Sequence, residues 1–154
     1  MNAASDRPTS RMANERGAVL VLVVMSLVVM LGMAALAIDT GIMYVARSEA
    51  QRAAESGAHA GAGVFLQAPG DEDGARAEAE AYGEANQVRW GDLDIWPDDD
   101  IDVLVDEQKV RVRTYRAGLR GNPIATLFAR FLGIGSADIA AHAAAQIWPA
   151  DGVT

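Results

Sequence analysis

Residues 18–38 read AVLVLVVMSLVVMLGMAALAI and carry no charged side chain. At about 1.5 Å per residue, a helix of this length spans about 31 Å, which matches a bilayer hydrocarbon core of roughly 30 Å. Twelve of the 21 residues are Leu, Val or Ile, and each of these favours insertion by about 0.3 to 0.6 kcal/mol near the centre of a membrane. The stretch therefore predicts a transmembrane helix.

The alternative for this stretch is a cleaved secretory signal. Arg7, Arg11 and Arg16 form a basic segment before it, and residues 35–37 (Ala-Leu-Ala) have the small-x-small form of a cleavage site. However, the hydrophobic region of a signal peptide is about 7 to 15 residues long, and here the helical pattern continues past the cleavage point. We predict a retained anchor.

The span divides the chain into four predicted parts. Residues 1–17 are expected to form a cytoplasmic tail, 18–38 the transmembrane helix, 39–150 an extracytoplasmic domain and 151–154 a short tail. Three arginines precede the span, whereas Arg47 and Arg52 are the basic residues in the 20 positions after it. Because positive charge favours the cytoplasmic side, this difference predicts a cytoplasmic N-terminus.

The charge and composition of the chain restrict the partners that it can bind. The formal charge is −8, and residues 39–154 hold 19 of the 21 acidic side chains against 10 of the 13 basic ones. An acidic domain lacks the basic surface that replaces phosphate counterions, so we expect no nucleic acid partner. The expected partner of the predicted span is the lipid bilayer. The absence of Cys excludes disulfides, thiol catalysis and cysteine metal sites.

Directly after the span, a helical wheel places small residues on one face of a continuing helix. We expect one helix over residues 16–66, ended by Pro69 and Gly70, with Arg52, Glu55 and His59 on the polar side. Packing of the small face against a sheet of the same chain is the preferred interpretation, and docking of a partner helix is the alternative. The small face consists of Ile42, Ala46, Ala50, Ala53, Gly57, Ala60 and Val64.

Two helices are predicted beyond residue 66. Residues 71–86 are rich in Ala and Glu and begin with acids, which favours a surface helix that packs through Ala75, Ala79 and Tyr82. Asn122 and Pro123 resemble a helix start, and the apolar spacing over residues 124–132 predicts a short core helix.

Alternating residues predict the strands of an antiparallel sheet. Residues 88–96 indicate an irregular or bulged strand, and residues 137–148 a final strand. Residues 102–106 and 109–113 predict a hairpin in which Asp102 faces Arg113 across a two-residue loop, or a longer loop because Glu-Gln lacks the glycine of a tight turn. The predicted fold class is α+β, with a long transmembrane-to-amphipathic helix packed on a small antiparallel sheet.

The order of these segments resembles a known family. The span ends in Ile-Asp-x-Gly and is followed by a helix rich in Ala, Arg and Gln, as in the TadG-like (TadE/G-like) N-terminal segment of Flp/Tad pilus assembly proteins. The resemblance implies a pilin-like fold, a bacterial inner membrane and other pilus-assembly or pilin-like membrane proteins as partners. It covers residues 16–63 through RGA (16–18), ALAIDTG (35–41), YVAR (44–47), QRAA (51–54) and AGA (60–62).

No catalytic, cofactor-binding or metal-binding residue is predicted. The two histidines, His59 and His142, fall on predicted polar faces, away from a candidate nucleophile. The acidic run of Asp98, Asp99, Asp100 and Asp102 fails as an EF-hand loop because Val103 and Lys109 stand where Gly and Glu are required. A solvated acidic turn is the expected structure, and a looser calcium site is the alternative.

The sequence therefore predicts a non-enzymatic, membrane-anchored component of an Flp/Tad pilus assembly or secretion apparatus. An anchored or secreted extracytoplasmic binding module is the alternative.

Overall fold

The structure, a computed structural model, describes the backbone of residues 10–148 and the side chains of residues 17–148. Most of the predicted N-terminal tail and the whole of the C-terminal tail at 151–154 lie outside these residues. The described chain contains a long helix α1, a second helix α2, a three-stranded antiparallel sheet and a two-stranded ribbon. The predicted α+β architecture is confirmed.

Helix α1 is continuous from the apolar segment into the domain. It extends over Ser10–Val64, so it begins six residues earlier and ends two residues earlier than predicted. The helix is not broken at Asp39-Thr40-Gly41. The Thr40 hydroxyl there donates to the carbonyl of Leu36, one turn earlier, at 2.8 Å. At about 1.5 Å per residue, its 55 residues span roughly 82 Å.

The three-stranded sheet has the order β1-β2-β5, with β1 at Ile101–Leu104, β2 at Lys109–Arg116 and β5 at Ile139–Gln146. Both pairings are antiparallel. Alternate residues of β2 are buried against the helices, namely Val110, Val112 and Thr114. The buried Thr114 hydroxyl donates to the Ala50 carbonyl at 3.0 Å and ties this central strand to α1.

The hairpin forms with the longer of the two predicted loops. Val103 pairs with Val110, and Val105–Glu107 forms a 3-10 turn that is followed by Gln108 with a φ of 47°. The two-residue loop is therefore wrong, and the register moves by two positions. A shift of two keeps every side chain on its own face, so Asp102 still reaches Arg113 at 2.6 Å from the diagonal position.

The small face of α1 packs inside its own chain, as preferred from the sequence. Ala46, Ala50 and Ala53 are fully buried in a cluster with residues from the sheet and the loops. The buried surface is wider than predicted, because Ala54 and Ala58 are also buried. Two sides of α1 are covered, one by the sheet and one by α2.

Helix α2 extends over Glu72–Glu84 and lies very close to α1. The Asp71 carboxylate accepts from the Gly74 backbone N–H at 2.9 Å and caps its start. A Cβ atom built on Gly57 would lie 2.6 Å from the Ala79 carbonyl oxygen, so only glycine fits at that crossing. Tyr82 was predicted on the packing side and is more than half exposed, since Gly83 takes that place.

The strand predicted over residues 88–96 is wrong. Val88 and Gly91 form an isolated bridge around a two-residue turn in which Arg89 and Trp90 have positive φ angles. The turn points Trp90 into solvent, while Val88 is buried. Burial of single apolar side chains, rather than strand pairing, explains the alternation here. A four-residue helix α3, Pro97–Asp100, then leads into β1.

The helix predicted over residues 124–132 is also wrong. Ile124–Ala125 forms strand β3, which pairs with β4 at Ser136–Ala137, and only Ala129–Leu132 forms a 3-10 turn. Pairing of β3 with β4 and hydrogen bonds from the following backbone to α1 replace the bonds of a regular helix. The final strand is confirmed in type: β5 lies within its predicted range, residues 137–148, and β4 begins one residue before that range.

Candidate membrane-facing site at the end of the apolar segment

The apolar part of α1 projects away from the domain. Its large side chains from Val19 to Ile38 are 47–69% exposed. The strongest 18-residue window of the helix has a mean hydropathy of 2.9 and holds no buried residue. This helix is long and apolar enough to cross a membrane.

Asp39 is the first charged residue after the apolar segment, and it is almost completely buried at 6% exposure. Its carboxylate accepts the backbone N–H groups of Leu127 at 2.8 Å and Phe128 at 3.0 Å, together with that of Ala129. Burial alone would raise the pKa of Asp39, but the three N–H donors outweigh it and lower the pKa. The ionised carboxylate therefore caps the backbone of residues 127–129.

The backbone that Asp39 caps belongs to a closed loop, residues 126–135, which we call the Asp39 loop. Its two ends are joined by the Thr126 backbone N–H, which donates to the Gly135 carbonyl at 3.1 Å. Gly133 has a φ of 87° and ends the 3-10 turn, a conformation that favours glycine. The tip of the loop presents Phe131 and Leu132 at 76% and 85% exposure.

The Asp39 loop and α1 enclose an apolar groove of about 590 Å³. The helix side of the groove belongs to the last part of the apolar segment, and the loop side carries the exposed aromatic and aliphatic tip. The lining residues are Leu31, Gly32, Ala34, Ala35, Leu36, Ile38 and Asp39 from α1, with Phe128, Ala129, Phe131 and Leu132 from the loop.

One signal in the sequence marks this site: the lone Asp39 at the end of a charge-free stretch. Its partners could not be found in the same way, because the spacing over residues 124–132 fits a helix. Three backbone N–H groups carry no residue-type signature, and they lie 88 to 90 positions away along the chain.

The acidic run before β1 is not a uniformly solvated turn. Asp100 is 2% exposed, and its oxygens accept from both terminal nitrogens of Arg120, at 2.8 and 2.9 Å. The hydrogen bond to Asp100 raises the pKa of Arg120 in spite of burial. The Arg120 guanidinium also stacks 3.8 Å from the centre of the Trp96 ring. Asp100 thus holds a structural ion pair, whereas Asp98 and Asp99 are exposed.

We expect calcium to leave the stability of the domain unchanged, because Asp100 and Asp102 are already paired with arginines. Within residues 17–148, no group of three or more His, Asp or Glu side chains is arranged to hold a metal ion. Thermal unfolding of the full chain in detergent, with and without millimolar calcium, would measure this. A rise in melting temperature that disappears in the exposed variant Asp98→Asn would contradict the prediction.

Both histidines are exposed, His59 beside the groove between α1 and α2 and His142 on β5. The expectation that the chain has no catalytic site stays a prediction.

Residues 17–64 match the family described as "Putative Flp pilus-assembly TadE/G-like". The match covers the part of α1 that contains both the apolar segment and the small face, and it confirms the resemblance predicted from the sequence. No curated protein and no solved structure matches the chain. Together, the family match and the apolar helix indicate a membrane-anchored protein with a part in Flp pilus assembly.

Proposed function

We propose that this chain is a non-enzymatic, TadG-like component of an Flp/Tad pilus assembly or secretion apparatus in a bacterial inner membrane. The observation that carries the proposal is the matched segment, residues 17–64. Over this segment a single helix is apolar and exposed in its first part and buried in the core of the domain in its second part. Such a helix couples the position of the domain to that of the membrane anchor. The other proteins of the apparatus are the proposed partners.

The proposed topology has a cytoplasmic N-terminus and an extracytoplasmic domain. It is supported by the three arginines before the apolar segment (Arg7, Arg11 and Arg16), against two, Arg47 and Arg52, in the 20 residues after it. The continuity of α1 across residues 35–41 supports retention of the anchor, because the helix is the shared element of span and domain.

Deletion of the chain in its native bacterium tests the function. We expect loss of surface Flp pili, or of the export that depends on the apparatus, and recovery when the full chain is supplied again. Pulldown of the tagged full chain from detergent-solubilised membranes should also recover pilus-assembly proteins. Normal piliation in the deletion strain, together with no such partner in the pulldown, would contradict the proposal.

We expect the anchor to resist extraction. A charge-free segment of 21 residues is inserted stably in lipid, so alkaline carbonate should leave the full-length protein in the membrane pellet. Tags at the N-terminus and the C-terminus would follow both ends of the chain in the same fractions. Recovery of a soluble form that begins near residue 38 would show instead that the segment is a cleaved signal.

A further inference from the structure

We propose that the tip of the Asp39 loop is a second membrane contact, which inserts Phe131 and Leu132 into the outer leaflet of the bilayer beside the transmembrane helix. The inference rests on the proposed anchor and goes beyond it, because it assigns a lipid-binding role to a loop of the domain. The occupant of the groove between loop and helix is then lipid acyl chain.

The position of the loop along α1 carries the argument. The groove that Phe131 and Leu132 line begins on the helix at Leu31 and ends at Asp39. These nine residues correspond to about 12 Å of helical rise, and all of them except Asp39 belong to the charge-free stretch. If the stretch spans the membrane, the groove and the loop tip that lines it lie beside the outer end of the span, in the boundary zone into which interfacial segments bury their apolar face by about 5 to 10 Å.

The composition of the loop fits this depth. Its apolar side chains are exposed, with Ile134 at 56% and Leu132 at 85% exposure, although the domain buries two other apolar clusters. Arg130 lies beside the tip, with its guanidinium 5.2 Å from the centre of the Phe131 ring. A long arginine side chain of this kind can reach lipid phosphates while its neighbour remains in the acyl region.

Hydrogen bonds within the protein satisfy polar backbone groups at the base of the loop, which favours placing it against lipid. In lipid, an unpaired N–H or C=O group is costly, and irregular loops are tolerated only where their polar groups find partners. The Asp39 carboxylate accepts the N–H groups of Leu127, Phe128 and Ala129, and the N–H of Ile134 donates to the Ala129 carbonyl at 3.1 Å. The Thr126 hydroxyl is used in the same way, donating to the Ile134 carbonyl. The buried acid therefore prepares the loop for an apolar environment.

Nitroxide accessibility tests the inference, and the chain has no cysteine that would interfere with labelling. Full-length Leu132→Cys and Leu119→Cys variants would be spin-labelled and reconstituted in vesicles of phosphatidylcholine and phosphatidylglycerol. Leu119 is 98% exposed and lies in a turn outside the groove, so it is a matched aqueous control. Since neither side chain is buried, both variants should unfold at the parent temperature in detergent.

We expect molecular oxygen to relax the label at position 132 more strongly than a water-soluble nickel chelate does, with the reverse order at position 119. The inference is overturned if the two labels show the same order. It is also overturned if the label at 132 is shielded from both reagents and broadened by a label on a second copy, which would mean that protein covers the loop. Flotation of the same vesicles reports anchoring separately, so protein that fails to float contradicts the proposed anchor and not the loop alone.

Discussion

Replacement of Arg120 by Ala is expected to lower the free energy of unfolding of the domain by about 3 to 5 kcal/mol, the range for a buried ion pair that loses one partner. Asp100 is 2% exposed in the parent chain, and without the guanidinium its carboxylate would retain the Trp96 backbone N–H, at 2.9 Å, as its donor. The stacking of the guanidinium on the Trp96 ring would be lost as well. Urea or thermal unfolding of the full chain in detergent would measure the change.

Arg113→Ala is the matched control for this substitution. Arg113 and Asp102 also form an ion pair at 2.6 Å, but their side chains are 42% and 40% exposed. Water screens such a pair, so we expect a loss of about 0 to 1 kcal/mol. The double variant Asp100→Asn, Arg120→Met should be less damaging than the sum of its two single changes, because it leaves no unpaired buried charge. Equal losses for Arg120→Ala and Arg113→Ala would contradict the role assigned to the buried pair.

The parts of the fold that follow from local pattern were predictable from the sequence. The continuity of α1 follows from a helical period that persists through Asp39-Thr40-Gly41, and the burial of Ala46, Ala50 and Ala53 follows from their common face. The hairpin faces were also correct. A register error of two positions leaves the faces unchanged, so the pattern could not distinguish the two loop lengths.

The parts that depend on distant residues were not predictable in this way. The apolar spacing of residues 124–132 satisfies the rule for a helix, but pairing of Ile124 with Ala137 and capping by Asp39 decide the actual structure. In the acidic run, Asp100 is one of three consecutive aspartates, and the local pattern does not distinguish it from its two exposed neighbours. Asp100 becomes a buried partner only because Arg120, 20 positions later in the chain, binds its carboxylate. Tertiary contacts outweigh local propensity at both places.

The candidate site shows the same division between local and distant information. The apolar segment and Asp39 could be read directly, and they carry the family resemblance that the comparison confirms. The apolar loop beside them could not, because the spacing of Phe131 and Leu132, which the structure leaves exposed, predicts one face of a core helix. Apolar residues that a pattern assigns to a core, and that the fold leaves exposed beside an anchor, indicate a surface with a partner.

Gly57→Ala is expected to destabilise the domain, although alanine is normally the better helix residue. The new Cβ atom would lie 2.6 Å from the Ala79 carbonyl oxygen, which is backbone and cannot rotate away, and 3.4 Å from the Gly83 Cα. Helices α1 and α2 would have to separate, at an overpacking cost of about 1 to 3 kcal/mol. The intrinsic gain of alanine over glycine in a helix, about 0.5 to 1 kcal/mol, would offset only part of this.

Gly63→Ala separates the contact from the propensity. Gly63 lies in the same helix, and a Cβ atom built there has no neighbour within 4 Å. We expect this variant to be unchanged or more stable by up to about 1 kcal/mol, since the unfolded chain loses freedom and no contact is strained. Unfolding curves of the two full-length variants in detergent should therefore shift in opposite directions. If both variants gain stability, the helices are not held at the separation that the small residues permit, and the small face of α1 would instead be free to dock a partner helix.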